Sequence, residues 1–311
     1  MVKYILKRLL YIIPTFIALT FIVYGILAAS PNDPAVMILG PLATEEELDA
    51  QREDLGLNDP FLIRYAKYMG NLAQGDLGTS WVNSNSIFKE LAVRLPNTLR
   101  LTAYALILTI LVGIPLGVVA AVYQYSVVDK LTLVFAMLFI SMPGFFLALI
   151  CQLIFCLKLK WLPATGFESF SNYILPSIML GAGQIASMVR MTRSSMLDVI
   201  SQDYTRTAYA KGCSKRRVII YHALRNGLLP VVTGIGNALI HLVSGAAVIE
   251  IIFAIPGLGA MLINGVRTMD VPVVMGPVII SSLLICIINV LVDIVYAFID
   301  PRVKIRFSSG G

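Results

Sequence analysis

Six long apolar stretches constrain this chain more than any other feature of its sequence. They cover residues 9–29, 99–122, 131–157, 173–189, 228–253 and 275–299. Each is near the roughly 20 residues that a helix needs to cross a bilayer. The chain is 58% hydrophobic and only 14% charged, with a mean hydropathy of +0.82, far from the composition of a soluble domain. The sequence therefore predicts an all-α membrane protein with six transmembrane helices.

The distribution of basic residues predicts which side of the membrane each loop occupies. Six spans place both termini on one side, and that side receives Lys3, Lys7, Arg8, Lys130, eight Lys or Arg between residues 190 and 225, Arg302, Lys304 and Arg306. The other short loops carry only Lys158, Lys160 and Arg267. Because short cytoplasmic loops are enriched in Lys and Arg, we expect both termini to be cytoplasmic. The same distribution explains the net charge of +6 without nucleic-acid binding.

This topology divides the chain into four parts. They are an N-terminal transmembrane helix (1–30), an extracytoplasmic insert (31–97), a core of five transmembrane helices (98–300) with a cytoplasmic loop (201–227), and a cytoplasmic tail (301–311). The run Ala28-Ala29-Ser30 would also suit a signal-peptide cleavage site, but the preceding apolar stretch is longer than signal peptides usually have, which favours an uncleaved helix.

The insert is acidic and interrupted by prolines. Residues 44–55 read as a short helix, with Thr44 as N-cap ahead of Glu47. An insert of this length exceeds an ordinary loop. It could receive a binding protein or cover a pore, or it could be a spacer.

The four cysteines give no sign of a disulfide framework or a zinc site. Cys151, Cys156 and Cys286 lie in apolar stretches, Cys213 lies in the basic loop, and none forms a CxxC motif. We therefore expect no metal site on this chain.

The basic loop from Asp203 to Pro230 carries the punctuation of two short helices. The first runs from Tyr204 to Lys211, capped by Ser201 or Asp203 and ended by Gly212. The second, capped by Ser214, runs from Lys215 to about Asn226, and Gly227 ends it. The small residues Ala208 and Ala210 would let another surface come close. The loop is thus a candidate docking surface, although a solvated loop without a partner is also compatible with it.

Polar side chains within the apolar stretches are candidates for a transport pathway, because ionisable and polar groups at membrane depth are costly. They are Asn237, His241, Glu250 and Asn289. His241 could line a pore or bond a neighbouring helix, and a lone histidine gives no metal-ligand cluster. Glu250 could hold a cargo amino group or cap a helix break, and Asp293 and Asp300 suit helix ends.

The run Asp203-Tyr204-Thr205-Arg206-Thr207-Ala208-Tyr209-Ala210-Lys211-Gly212 resembles the coupling motif of ABC importer permeases, in the form found in the dipeptide/oligopeptide/nickel branch. Arg206 and Thr207 stand where the general motif has Glu and Ala, as is usual for this branch. Further motifs of the family occur in order: Asn32-Asp33-Pro34-Ala35, Gly75-Asp76-Leu77-Gly78, Pro256-Gly257-Leu258-Gly259, Asp270-Val271-Pro272-Val273 and Asp300-Pro301-Arg302. The resemblance covers nearly the whole chain.

This resemblance implies the type I importer permease fold in a bacterial inner membrane. It also implies a second, homologous permease subunit, two ATPase subunits and an extracytoplasmic substrate-binding protein as partners. The residues that would contact an ATPase subunit are Tyr204, Arg206, Thr207, Ala208, Lys211 and Gly212. ATP and magnesium would bind the ATPase subunits, because this chain has no GxxxxGK[ST] motif and we expect it to bind no cofactor.

The resemblance leaves the cargo open between di- or oligopeptides, glutathione included, and nickel or a metal–chelator complex. Two other classes are less compatible with the residues. An intramembrane enzyme would need a GxSxG, HExxH or paired aspartate motif, which the spans lack. A solitary ion-coupled carrier would not co-purify with ATPase subunits.

Overall fold

The computed structural model describes residues 2–299, and the side chains of residues 10, 12–292, 294 and 295. Twelve helices account for most of this part of the chain: α1 (Val2–Ala28), α2 (Pro34–Leu39), α3 (Glu45–Asp54), α4 (Phe61–Ala73), α5 (Ile87–Val122), α6 (Val127–Ser141), α7 (Gly144–Lys158), α8 (Ser171–Ile200), α9 (Asp203–Ala210), α10 (Lys215–Ile252), α11 (Leu258–Thr268) and α12 (Val271–Ile299). Between residues 2 and 299 there is no β-strand, only an isolated bridge between Thr79 and Ser86. The tail 301–311, Asp300 and the side chain of Asp293 lie outside the described residues.

The membrane spans predicted from the apolar stretches correspond to helices. Four helices, α5, α8, α10 and α12, are long and apolar enough to cross a membrane. The bent pair α6–α7 gives a fifth candidate if it forms one span, and Ile12–Ala28 of α1 is a shorter apolar stretch. The all-α fold is therefore confirmed.

Three of these helices extend beyond their apolar stretches. α5 begins at Ile87, ahead of the predicted insert boundary at residue 97, and α8 continues to Ile200 rather than ending at Val189. α10 begins at Lys215. Hydropathy detects only the part of a helix that faces lipid, so it misses polar turns that continue beyond it.

The predicted span at residues 131–157 is not one continuous helix. Instead, α6 and α7 meet at an angle of 103°. Pro143 disfavours helical geometry in the residue before it, and Met142 is extended, with φ −88° and ψ 134°. Pro143 then precedes the first residue of α7, where its missing N–H breaks no helical hydrogen bond.

The predicted second helix of the basic loop is also corrected. Gly227 does not end a helix; it lies inside α10 and packs against Met196 of α8. The Ser195 hydroxyl donates to the Gly227 carbonyl oxygen at 2.7 Å. A Cβ at position 227 would stand 2.7 Å from the Met196 sulfur, so the glycine permits close contact between helices. Ser214 occupies the N-cap position without a side-chain hydrogen bond.

The described residues form two compact units. In the first, comprising 99–255 and 287–299, α8 packs against the part of α5 after residue 98 and against α6, α7 and α10. Small residues allow this approach: a Cβ at Gly117 would stand 2.6 Å from the Thr192 Cβ. The core of this unit includes Leu101, Tyr173, Met179 and Phe253.

In the second unit, comprising 2–98 and 256–286, α4 of the insert runs along α1. Its aromatic face meets that of α1 through ring pairs of Phe61 and Tyr65 with Phe21 and Tyr24. The insert is therefore anchored on the first membrane helix over several turns.

Buried Asp270 joins two segments of the second unit. Its carboxylate accepts the Ser80 hydroxyl at 2.6 Å and the Val82 amide at 3.3 Å. It also accepts the Val273 amide at 3.2 Å and so caps α12. A carboxylate with these donors fixes the loop before α5 to the start of α12.

The capping box predicted at Thr44 is confirmed. The Thr44 hydroxyl accepts the Glu47 amide, and the Glu47 carboxylate accepts the Thr44 amide at 2.8 Å. Donation from that amide holds the pKa of Glu47 below its ordinary value. This contribution to α3 is present above the ordinary carboxyl pKa and is lost as pH falls through the lowered one.

Candidate functional site

The first candidate is α9 with the turn that follows it, which the distribution of basic residues predicts to be cytoplasmic. The helix starts after Gln202, which has the extended backbone of an N-cap but makes no side-chain cap bond. The predicted capping by Ser201 or Asp203 is therefore wrong: the Ser201 hydroxyl bonds the Asp198 carbonyl, and Asp203 is the first helical residue. A hydrogen bond from the Thr205 hydroxyl instead attaches the helix to the end of α8.

One face of α9 packs on the chain itself. Thr205 and Ala208, three residues apart, are both buried, and the Thr205 hydroxyl donates to the Val199 carbonyl oxygen at 3.0 Å. Ala208 is only 7% exposed. The expectation that Ala208 offers a small surface to a partner is therefore corrected: its small size allows α9 to lie close to its own chain.

The remaining surface of α9 is exposed and carries two tyrosines and Arg206; the Tyr204 hydroxyl at its edge bonds to Asn226 of α10. The exposed residues are Asp203, Tyr204, Arg206, Thr207, Tyr209 and Ala210 of the helix and Lys211 and Gly212 of the turn. Tyr204 and Tyr209 are each 42% exposed. Five of the six predicted coupling residues thus share this surface or the adjoining turn, together with Tyr209.

Gly212 terminates α9 as predicted, and the reason is conformational. Its φ of +82° is in the left-handed region, where a Cβ is disfavoured. The Cys213 amide donates to the Ala208 carbonyl oxygen at 3.2 Å and the Gly212 amide to the Tyr209 carbonyl oxygen at 2.9 Å. These two bonds form a Schellman motif, which reverses the chain toward α10.

A buried ion pair connects α6 to α8, the helix that precedes α9. Arg193 donates from Nε and Nη2 to the two oxygens of Asp129, at 2.6 and 2.8 Å. Asp129 also accepts the Tyr125 amide at 2.9 Å. Such bidentate pairs fix both distance and orientation, so this pair fixes the start of α6 against α8.

Two weaker contacts continue this attachment. The Lys215 ammonium lies 5.3 Å from the centre of the Tyr123 ring. The Asn226 amide donates to the Tyr204 hydroxyl at 3.1 Å. The first contact joins the loop after α5 to the start of α10, and the second joins α10 to α9.

A second candidate lies on the membrane-spanning part of α10. Asn237, His241 and Ser244 are exposed and lie on one face, at spacings of four and three residues. Asn289 on α12 is half-buried. Polar groups exposed on a membrane helix are costly in lipid, so this face suits a protein partner or water.

A cavity of about 600 Å³ opens beside His241. Three polar side chains of α8, Gln184, Ser187 and Arg190, line it with His241, while largely apolar residues of α6, α7, α8 and α10 form the rest of its wall. Ordinary ligand cavities have this size and this mixture of many apolar and few polar groups.

Glu250 does not reach this cavity. Its side chain is fully buried, and its backbone carbonyl accepts the Ile255 amide at 2.8 Å where α10 ends. This arrangement supports the structural interpretation of Glu250 over contact with cargo.

Comparison with known proteins identifies the family. Residues 113–305 match the family described as binding-protein-dependent transport system inner membrane component, and residues 1–102 match its N-terminal family. The chain belongs to this permease family. The permease is thus a membrane protein whose family works with a binding protein.

Relatives of the permease match along its whole length. It is 40% identical to a glutathione transport system permease protein, GsiC, from Salmonella typhimurium, over 98% of this chain and all of the relative. It is 39% identical to the corresponding protein of Escherichia coli K12 over the same shares.

A solved structure supports the fold. The MetNI methionine ABC transporter in an inward-facing conformation matches with a TM-score of 0.58 and 18% identity, covering 68% of this chain and 97% of that chain. The permease therefore has the type I ABC importer permease fold.

Sequence reasoning missed two groups of residues: the ion pair between α6 and α8, and the polar residues of α8 that line the cavity. Asp129 is the clearest, since Ser126 and Asp129 form the N-terminal signature of α6, but its partner Arg193 lies 64 residues away. Gln184, Ser187 and Arg190 recur at spacings of three along α8, a pattern that could have indicated a polar face.

Proposed function

We propose that this permease is the translocation subunit of an ATP-driven importer for di- and oligopeptides, glutathione included. The observation that carries the proposal is the full-length similarity, at about 40% identity, to glutathione transport permeases. A permease matched from end to end keeps both the cytoplasmic docking segment and the extracytoplasmic insert of its relatives.

In this proposal, the exposed face of α9 docks on an ATPase subunit, one of two, which bind ATP and magnesium. Tyr204 and Tyr209 supply the buried aromatic contacts, and Arg206 and Lys211 supply charge. ATP-driven closure of the ATPases moves α9, and the Asp129–Arg193 pair passes that movement to α6 and α8. An effect of this kind needs contacts that differ between the two states.

The cavity beside His241 forms half of the translocation pathway, and a homologous second permease closes it. Asn237 lies on the same face of α10, one turn closer to the cytoplasm. Asn289 on α12 stays a candidate for the pathway without an observed contact that assigns it there. The insert faces the extracytoplasmic binding protein, with both termini in the cytoplasm.

Import of nickel or a metal–chelator complex is the alternative cargo. Among the described residues, no group of three or more His, Cys, Asp or Glu is placed to hold a metal. The identity to glutathione permeases favours the peptide cargo.

The proposal is tested by uptake into proteoliposomes that contain the permease with its second permease and ATPase subunits. We expect ATP-dependent uptake of labelled glutathione or dipeptide that requires the binding protein. Tyr209→Ala should reduce uptake and binding-protein-stimulated ATPase activity by about tenfold or more, since interface tyrosines often contribute 2 kcal/mol or more.

The matched control is Tyr221→Ala, which removes a ring that is 72% exposed but lies on the first turns of α10. It should retain normal coupling. Equal coupling in the two variants would exclude α9 as the docking helix. Uptake of nickel without uptake of any peptide would show that the cargo is the metal.

A further inference from the structure

A cavity in the second unit lies where α1 ends and the insert begins. It has a volume of about 310 Å³, and its polar lining includes Asn32, Asn58 and Arg64, with Trp81 as its largest ring. All of these residues belong to the insert, far along the chain from the pathway candidates on α8 and α10. The cavity is large enough for a small organic ligand.

The two arginines that line this cavity differ in their pairing. Arg52 donates to Asp33 at 2.7 Å from both Nε and Nη2, and to Asp49 at 2.6 Å. Its charge is therefore neutralised by its own neighbours. Asp33 is saturated in the same way, because its other oxygen accepts the Ala35 amide at 2.9 Å.

Arg64 has no such partner. Its Nε is buried without a hydrogen bond, and no carboxylate among the described residues lies within ion-pair distance of its guanidinium. A buried donor on a charged group that stays unpaired costs free energy. Lys67, one turn further along α4, is by contrast paired with Asp59 at 2.6 Å. The unpaired cation thus belongs to the cavity, not to α4 as a whole.

We propose that Arg64 is the anchor of a binding site for a carboxylate, specifically the carboxylate of a small peptide that enters from the binding protein. A guanidinium offers two parallel N–H donors to a carboxylate, and Asn32 and Asn58 add neutral hydrogen-bonding groups. The Trp81 ring provides an apolar wall for a side chain. The identity of the ligand as a peptide rests on the proposed function; the carboxylate preference rests on Arg64.

The test measures binding to the assembled complex in lipid nanodiscs, without binding protein, by isothermal titration calorimetry. The two probes are alanylalanine and alanylalaninamide, which differ only in the terminal carboxylate. The wild-type complex should bind the acid about tenfold more tightly than the amide, as expected for a charge-assisted hydrogen bond. Equal affinities would overturn the proposal without any need for a variant.

Arg64→Gln should weaken binding of the acid by about tenfold and leave binding of the amide unchanged. Arg64→Lys keeps the charge without the planar pair of donors and should fall between the two. Lys89→Gln is the matched control: it removes an exposed cation of the same unit that does not line the cavity, and should bind as wild type. Unchanged affinity of Arg64→Gln for the acid would refute the site.

The phosphate of a lipid headgroup could occupy the same site. Nanodiscs of different lipid composition distinguish this occupant from a peptide. Peptide binding should be equal in nanodiscs of phosphatidylcholine and of phosphatidylglycerol. Loss of binding in phosphatidylglycerol would assign Arg64 to a headgroup and overturn the peptide site. If ATP-driven peptide uptake persists while the acid and amide bind equally, this site fails and the proposed function stands; absent uptake would instead count against the function.

Discussion

At the scale of single residues, two tyrosine hydroxyls on α4 have opposite environments. The Tyr65 hydroxyl is bonded to the Thr20 hydroxyl at 2.9 Å and donates to the Ile17 carbonyl oxygen at 3.1 Å. The Tyr68 hydroxyl is buried without a partner among the described residues. Burial, with a smaller effect of Tyr24, raises the pKa of the Tyr68 phenol above its ordinary value. The hydroxyl of Tyr68 therefore opposes folding, whereas that of Tyr65 supports it.

We expect Tyr68→Phe to raise the thermal unfolding midpoint of the purified protein in detergent. The change removes an unsatisfied buried hydroxyl, which costs about 1–3 kcal/mol, and keeps the ring. Tyr65→Phe is the matched control and should lower the midpoint, because it loses hydrogen bonds worth about 0.5–1.5 kcal/mol each. A lower midpoint for Tyr68→Phe would mean that its hydroxyl has a partner, such as an ordered water.

Single residues were predictable from sequence where the deciding contact is local. Thr44 and Gly212 act within a few residues of their own position, through a capping box and a left-handed turn. Ala208 was misjudged because its partners are not local: the rotation of α9, fixed by Thr205 and Val199, decides which of its faces is buried.

At the scale of elements, the Asp129–Arg193 ion pair fixes the start of α6 against α8. Asp129 is 3% exposed and Arg193 19% exposed, so water screens the pair little. Losing one partner of a buried pair typically costs about 3–5 kcal/mol, because the other charge stays buried alone.

Asp129→Asn should therefore lower the unfolding midpoint markedly and weaken ATPase stimulation by the binding protein. Asp59→Asn makes the same chemical change in the exposed Asp59–Lys67 pair, where side chains are 38% and 68% exposed, and should cost about 0–1 kcal/mol. The measurement is thermal unfolding of both variants in the same detergent. If both variants lowered the unfolding midpoint equally, the buried Asp129–Arg193 pair would contribute no more to stability than the exposed Asp59–Lys67 pair.

The membrane helices were predictable from the length of the apolar stretches, but the bends and contacts between them were not. Gly227 reads locally as a helix stop, yet Ser195 and Met196 of α8 make it a contact point inside α10. Pro143 carried a local signal for the α6–α7 bend. That signal competes with the tolerance of proline inside membrane helices, so it does not decide the outcome alone.

At the scale of the whole molecule, the proposed topology makes a labelling prediction. In a background without the four native cysteines, Glu53→Cys in the insert should react with a membrane-impermeant maleimide in intact cells. Arg206→Cys on α9 should react only after the membrane is permeabilised. The reverse pattern would invert the orientation given by the positive-inside rule.

The same method tests the pathway in the assembled complex. His241→Cys should react with a small water-soluble methanethiosulfonate, because thiols react as thiolates in water. Leu138→Cys replaces a side chain that is 51% exposed on apolar α6 and should stay unreactive in lipid. An unreactive His241→Cys would place this face of α10 in a dry interface instead of a pathway.

Membership of the permease family was predictable from motifs spread along the chain, because each motif is local and their order is preserved. The cavities were not, since His241 and Arg190 lie 51 positions apart in sequence and their proximity depends on how α8 packs against α10. The sequence suggested polar residues for a pathway but not which of them share a wall.

The uninterrupted course of α10 has a consequence for insertions and deletions. This helix has 38 residues, about 57 Å at 1.5 Å per residue, and contains a π-helical turn at Val218–Ala223. A π turn holds one residue more than an α turn. Deleting that residue would turn the π turn into an α turn and keep the segments on either side in phase, whereas a deletion in a regular α-helical turn would rotate them by about 100°. The π turn is therefore a place where α10 can lose one residue without changing the direction in which α9 faces relative to Asn237 and His241.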